Sequence, residues 1–172
     1  MRQAAVLITQ GQADQAERLQ AELVTTLLDA EFSVRLSGAY STLIKTRDQM
    51  GLIVKAQAML RQRCAGMSAE SFETGAALAA QVQEKLRKRL LTLLLPTVPA
   101  PRPQLLDETL PQSPPVQTLL KGADQAMALA IEQFAAGRQQ AAIAQQREAE
   151  QAVTHLVGLV DRWSVELGLQ TL

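Results

Sequence analysis

All seven prolines of this chain fall between Pro96 and Pro115. Proline has no backbone donor and clashes with the preceding helical turn, so the stretch LPTVPAPRPQLLDETLPQSPP cannot form a helix interior. Its composition favours extended, polyproline-like backbone, with at most one helical turn around 105–110. On both sides the apolar residues recur in steps of three and four. The prolines therefore set the architecture: helices 13–95, a proline-rich crossover at 96–115, and a helical hairpin at 116–168.

The first helical stretch carries Ala16, Leu19, Leu23, Leu27, Ala30 and Val34 on one face. Leu43, Ile44, Leu52, Ile53, Ala56 and Leu60 follow, with Gly38 and Gly51 as interruptions. A glycine costs roughly 1 kcal/mol in a helix interior, so 13–65 reads equally as one kinked helix or as two. Gly66 is a stop signal and Ser68 an N-cap, with Glu70 in the first turn that follows. Phe72, Ala76, Ala79, Val82, Leu86, Leu90 and Leu93 then make a regular heptad-like face. Beyond the prolines, Val116, Leu120, Ala123, Met127, Ala130, Ile131 and Phe134 form one stripe. Ala142, Ala149, Ala152, Leu156, Val160, Trp163 and Leu167 form another, with a turn at Gly137. Trp163 is expected as a core anchor of that hairpin.

Aromatics make up only 3% of the residues, too little bulk for a sheet core, and β-branched residues never alternate over a strand length. The expectation is an all-α, up-and-down bundle of four to five helices, folded as a single domain over 1–172. Seventeen basic residues balance seventeen acidic ones, which removes the usual electrostatic reason to expect nucleic-acid binding. No apolar run approaches a membrane span, and the short apolar stretch at 4–8 is too brief for a signal-peptide core. The chain then reads as cytosolic, or as a processed or excised piece of something larger.

Motifs for chemistry are weak. Cys64 is the only cysteine and His155 the only histidine, a pair without metal-ligand spacing. Arg61 and Arg63 near Cys64 could lower its pKa, but no base or resolving cysteine stands beside it. Gly137-Arg138 is not a phosphate loop, and no Ser/His/Asp set or carboxylate pair stands out. No catalytic, cofactor-binding or metal-binding residue is assigned, and an enzyme is not expected. The densest charge run contains Lys85, Lys88 and Arg89, which share one helix side. They are candidate contacts for an anionic partner, against the plainer reading of a solvated face.

The segment AMALAIEQFAAGRQQAAIAQQREAEQAV is similar to one helix–turn–helix of a tetratricopeptide array, with small residues inside and an aromatic before the glycine turn. No 34-residue period recurs, and the prolines would interrupt an array. Segments such as QGQADQAERLQAELVTTLLDAE and RQQAAIAQQREAEQAV resemble the Ala- and Gln-rich helical regions of bacterial envelope proteins. These include periplasmic portions of small-conductance mechanosensitive channels and receptor sensor domains. The resemblance spans most of the chain in style and includes no diagnostic motif. It implies an extramembrane part only, with membrane association through flanking segments not present here, and it assigns no residue a role.

The function expected on these grounds is a non-enzymatic helical interaction or sensory module of a bacterial envelope protein. Its location would be periplasmic, with the cytoplasm as the alternative. Its partners would be another protein or neighbouring domains, and a homo-oligomer is compatible with the pattern. One competing reading is a small-ligand sensor, favoured by a pocket lined with inward-facing Arg35, Arg61 or Arg63. Another is a cytosolic adaptor or secretion-type chaperone, favoured by a long exposed apolar strip.

Overall fold

The computed structural model describes residues 13–93 and 109–170. Among them are four α-helices, one 3-10 turn and no β-strand: α1 (Ala13–Ala65), α2 (Ala69–Thr92), the turn Leu110–Gln112, α3 (Pro114–Ala135) and α4 (Gln139–Gln170). The all-α expectation holds. Most of the proline-rich connector, the apolar stretch 4–8 and the side chain of Leu167 lie outside the described residues. What is described of the connector ends in the 3-10 turn, where Leu110 is fully buried. Pro114 and Pro115 occupy the first turn of α3, where a missing backbone donor costs nothing.

Of the two readings left open for 13–65, the single helix is the one found. The chain divides at Gly38 into two units. In residues 39–170, α1 from residue 39, α2, α3 and α4 form an up-and-down four-helix bundle. Cross-helix contacts fix the direction of each pair. Arg47 reaches Asp161 and Arg61 reaches Glu150, so α1 and α4 run antiparallel. Arg87 binds Asp124 while Phe72 meets Phe134, so α2 and α3 do likewise. The short turns at 66–68 and 136–138 complete the ring.

The buried positions of α1 are Leu43, Thr46, Met50, Ile53, Gln57, Leu60 and Cys64, an unbroken alternation of three and four. That is the heptad spacing of helices packed at a shallow crossing angle. In α4 the buried row is Ala142, Gln146, Ala149, Val153, Leu156, Val160 and Ser164. The expected stripe holds at Ala142, Ala149, Leu156 and Val160 and is off by one residue at Ala152 and Trp163. Trp163 is only half-buried, because Val160 and Ser164 take the inward positions.

Both turns follow from local chemistry. Ser68 Oγ accepts the amide of Ser71 at 3.2 Å and caps α2. Gly137 has φ of 69°, a left-handed conformation that a side chain disfavours. Arg138 N donates to Gln133 O and Gly137 N to Phe134 O, closing α3 with a Schellman motif. The two turns lie at the same end of the bundle, where Gln139 Nε2 donates to both Cys64 O (2.7 Å) and Met67 O (3.0 Å). That amide ties the start of α4 to the end of α1 and to the turn after it, adding to the bond that Cys64 O accepts from Met67 N at 3.3 Å.

In residues 13–38 the helix carries Thr25 and Thr26, whose hydroxyls bond back to Ala21 O and Glu22 O. Leu23, Val24, Leu27, Leu28 and Val34 are exposed there, Val34 at 74%. The row Ala16, Leu19, Leu23 repeats eleven residues later as Leu27, Ala30, Val34. An eleven-residue repeat follows a nearly straight stripe along a helix.

Candidate interaction surface

Three side chains that the sequence reading passed over lie at the centre of the bundle. Gln57, Gln83 and Gln146, from α1, α2 and α4, are fully buried. Gln57 and Gln83 exchange reciprocal amide hydrogen bonds of 3.0 and 2.9 Å. Gln146 Nε2 donates to Gln83 Oε1 at 3.3 Å. Their positions continue the heptad rows of apolar neighbours, so counting in sevens and not by hydropathy was the signal that could have found them. A buried polar layer of this kind fixes axial register, because sliding one helix would leave amides unpaired.

Cys64 is buried against the amide of Gln146. Burial pushes the Cys64 thiol up, and the Gln146 hydrogen bond and the Arg63 charge offset this only in part. The lowering expected from its arginines is thus outweighed. Arg61 is engaged elsewhere, with Nε 2.8 Å from Glu150 Oε2. The side chain of Arg35 lies outside the described residues. His155 is exposed, and no group of three metal-binding side chains occurs among the described residues.

The cations of α1 from residue 39 and of α2 sort into two sets, while Lys121, Arg138, Arg147 and Arg162 elsewhere are exposed and make no ion pair among the described residues. Arg47, Arg61, Arg87 and Lys88 hold carboxylates; Arg87 is 2.6 Å from Asp124, and Lys88 is 3.3 Å from Glu84. Lys45, Lys55, Arg63, Lys85 and Arg89 are exposed and make no ion pair among the described residues. Of the three candidate contacts, Lys85, Lys88 and Arg89 are all exposed, but only Lys85 and Arg89 are without a carboxylate partner.

Four of these five unpaired cations of α1 and α2 flank one groove. Its α1 wall is built from two rows at seven-residue spacing: Lys45, Leu52, Met59, and Gln49, Ala56, Arg63. Its α2 wall repeats the pattern with Leu78 and Lys85, and with Gly75, Val82 and Arg89. Arg63, Gly75, Leu78 and Val82 line a common cavity of about 80 Å³ with Leu60, Cys64, Met67 and Ala79, which places these rows between α1 and α2. Leu52, Met59 and Leu78 are 57%, 70% and 56% exposed. No acidic residue falls on any of these rows. The result is an apolar strip with a basic border, a surface suited to an amphipathic helix carrying acidic residues. The charges at Lys85 and Arg89 are legible in the sequence but the apolar strip is not, because Leu52 and Met59 adjoin the buried Ile53 and Leu60.

No described helix is long and apolar enough to cross a membrane. Compared with known families, curated proteins and solved structures, the chain shows no significant match to any of them.

Proposed function

We propose that this protein is a non-enzymatic interaction module whose working surface is the groove between α1 and α2. The observation that carries the reading is the exposure of Leu52, Met59 and Leu78 on facing helical rows that also carry unpaired Arg63, Lys85 and Arg89. Solvent-exposed leucine and methionine in one strip favour coverage by a partner, and the unpaired cations select an acidic one. Of the readings open at the level of sequence, this supports binding by contact, as in an adaptor, over capture of a small anion. An anion sensor needs converging arginines, whereas Arg61 is neutralised by Glu150 and Arg63 stands at the rim of a small apolar cavity. The support for an envelope setting is the style of the Ala- and Gln-rich helices, and fractionation of the protein in its own cell tests it.

A photo-crosslinking residue at position 59, expressed in the native cell, tests the surface. Position 59 should yield a discrete cross-linked product, and position 148, exposed on α4, should not. Equal products from both positions, or none from position 59, would overturn the reading.

A further inference from the structure

Among the described residues, two rows of exposed apolar side chains stand beside opposite charges. The groove between α1 and α2 is bordered by Lys45, Arg63, Lys85 and Arg89, none of which has a carboxylate partner among the described residues. The helical segment 13–38 exposes Leu23 (38%), Leu27 (60%) and Val34 (74%). That segment holds five acidic and two basic residues, a net charge of −3. We propose that the occupant of the groove is the 13–38 helix of a second copy of this chain. The inference rests on the reading of the groove as a contact surface and names its partner.

Length agrees with charge. The apolar row of the segment runs from residue 16 to residue 34, and the groove from Lys45 to Arg63, eighteen helical steps each. At 1.5 Å per residue both are about 27 Å long. Pairing two 13–38 helices with each other is the competing arrangement, and it would bring two segments of net charge −3 together. Docking in the groove places the same acidic helix against unpaired cations, so electrostatics selects the groove. Each chain offers one helix and one groove, so a reciprocal exchange between two chains would cover both apolar surfaces.

Sedimentation of the full-length protein, wild type and two variants, tests this. One variant blocks the groove with Met59→Glu and Lys85→Glu; the other blocks the helix with Leu23→Glu and Leu27→Glu. All four side chains are exposed, so both variants should keep the circular dichroism of the wild type. The wild type is expected to associate, with a dissociation constant that rises several-fold as salt screens the charges. Each variant alone should sediment as a monomer. Mixing them restores one intact helix and one intact groove, so the mixture should associate, more weakly than the wild type. A mixture that stays monomeric beside an associating wild type would overturn the proposal, and so would self-association of the helix-blocked variant. A wild type that is monomeric at every concentration also overturns it. If position 59 then still cross-links to a different protein, the contact-surface reading survives with another partner; if it cross-links to nothing, both fall.

Discussion

Replacing Gln83 with methionine isolates the energetic role of the buried amide layer. Methionine matches glutamine in length and shape, so the change leaves no cavity and forces no rotamer. It removes three hydrogen bonds: both bonds with Gln57, at 3.0 and 2.9 Å, and the 3.3 Å bond from Gln146. Gln57 is left with an unpaired donor and acceptor, and Gln146 with an unpaired donor, all in fully buried side chains. At about 1–3 kcal/mol for each unsatisfied buried group, the gross cost is roughly 3–9 kcal/mol. Burying the thioether returns about 1.5–3 kcal/mol, and a net destabilisation of about 1.5–6 kcal/mol remains. Against the 5–15 kcal/mol typical of a domain, that is a large loss. The triple variant Gln57→Met, Gln83→Met, Gln146→Met should behave oppositely, because no orphaned amide remains. It should be as stable as the wild type or more so. Guanidinium denaturation followed by circular dichroism measures both, and an unchanged slope licenses the comparison. If the single variant lies within about 0.5 kcal/mol of the wild type, or if the triple is the less stable of the two, the amides do not form the layer described.

Gly122 and Gly158 lie inside helices with open space where a Cβ would go, so Gly122→Ala and Gly158→Ala should each stabilise by about 0.5–1 kcal/mol. Gly137→Ala should instead cost about 1 kcal/mol, because φ there is 69°; equal effects at all three sites would refute the turn assignment. Cys64 should react slowly with thiol reagents until the protein unfolds. Because burial raises its pKa, the folded state keeps the thiol proton longer than the unfolded chain does. Stability from this group is therefore present below the unfolded pKa and declines as pH rises above about 9, and Cys64→Val should flatten that alkaline decline. Identical alkaline profiles for wild type and variant would show that the thiol is not shielded.

The helices and their turns were legible because their signals are local. The proline cluster, Ser68 as a cap and Gly137 as a left-handed stop each act within a few residues. Core registers were read less well, in part because of the polar layer. A count of apolar residues steps around a buried glutamine, so Val82 stood in for Gln83 and Gln146 was passed over between Ala142 and Ala149. At Ala152 and Trp163 the apolar count settles on the wrong one of two neighbours, since the buried positions are Val153 and the polar Ser164. The groove was hidden for a similar reason: Leu52 lies next to the buried Ile53, and hydropathy alone does not tell which of two adjacent apolar residues faces inward. Which cations remain without a partner depends on helices far apart in sequence, as with Arg61 and Glu150, 89 residues apart.

Oxidation of the methionines by dilute peroxide, read by mass spectrometry, tests the contact surface most directly. Met59 is 70% exposed on the groove, while Met50 and Met127 are fully buried in the same bundle. In dilute protein, Met59 should convert to the sulfoxide first, with Met50 and Met127 protected until global unfolding. As the protein concentration is raised and a second copy covers the groove, Met59 should become protected while the two buried methionines stay unchanged. Met59 reacting as slowly as Met127 in dilute solution, or all three reacting together in the folded protein, would contradict the account.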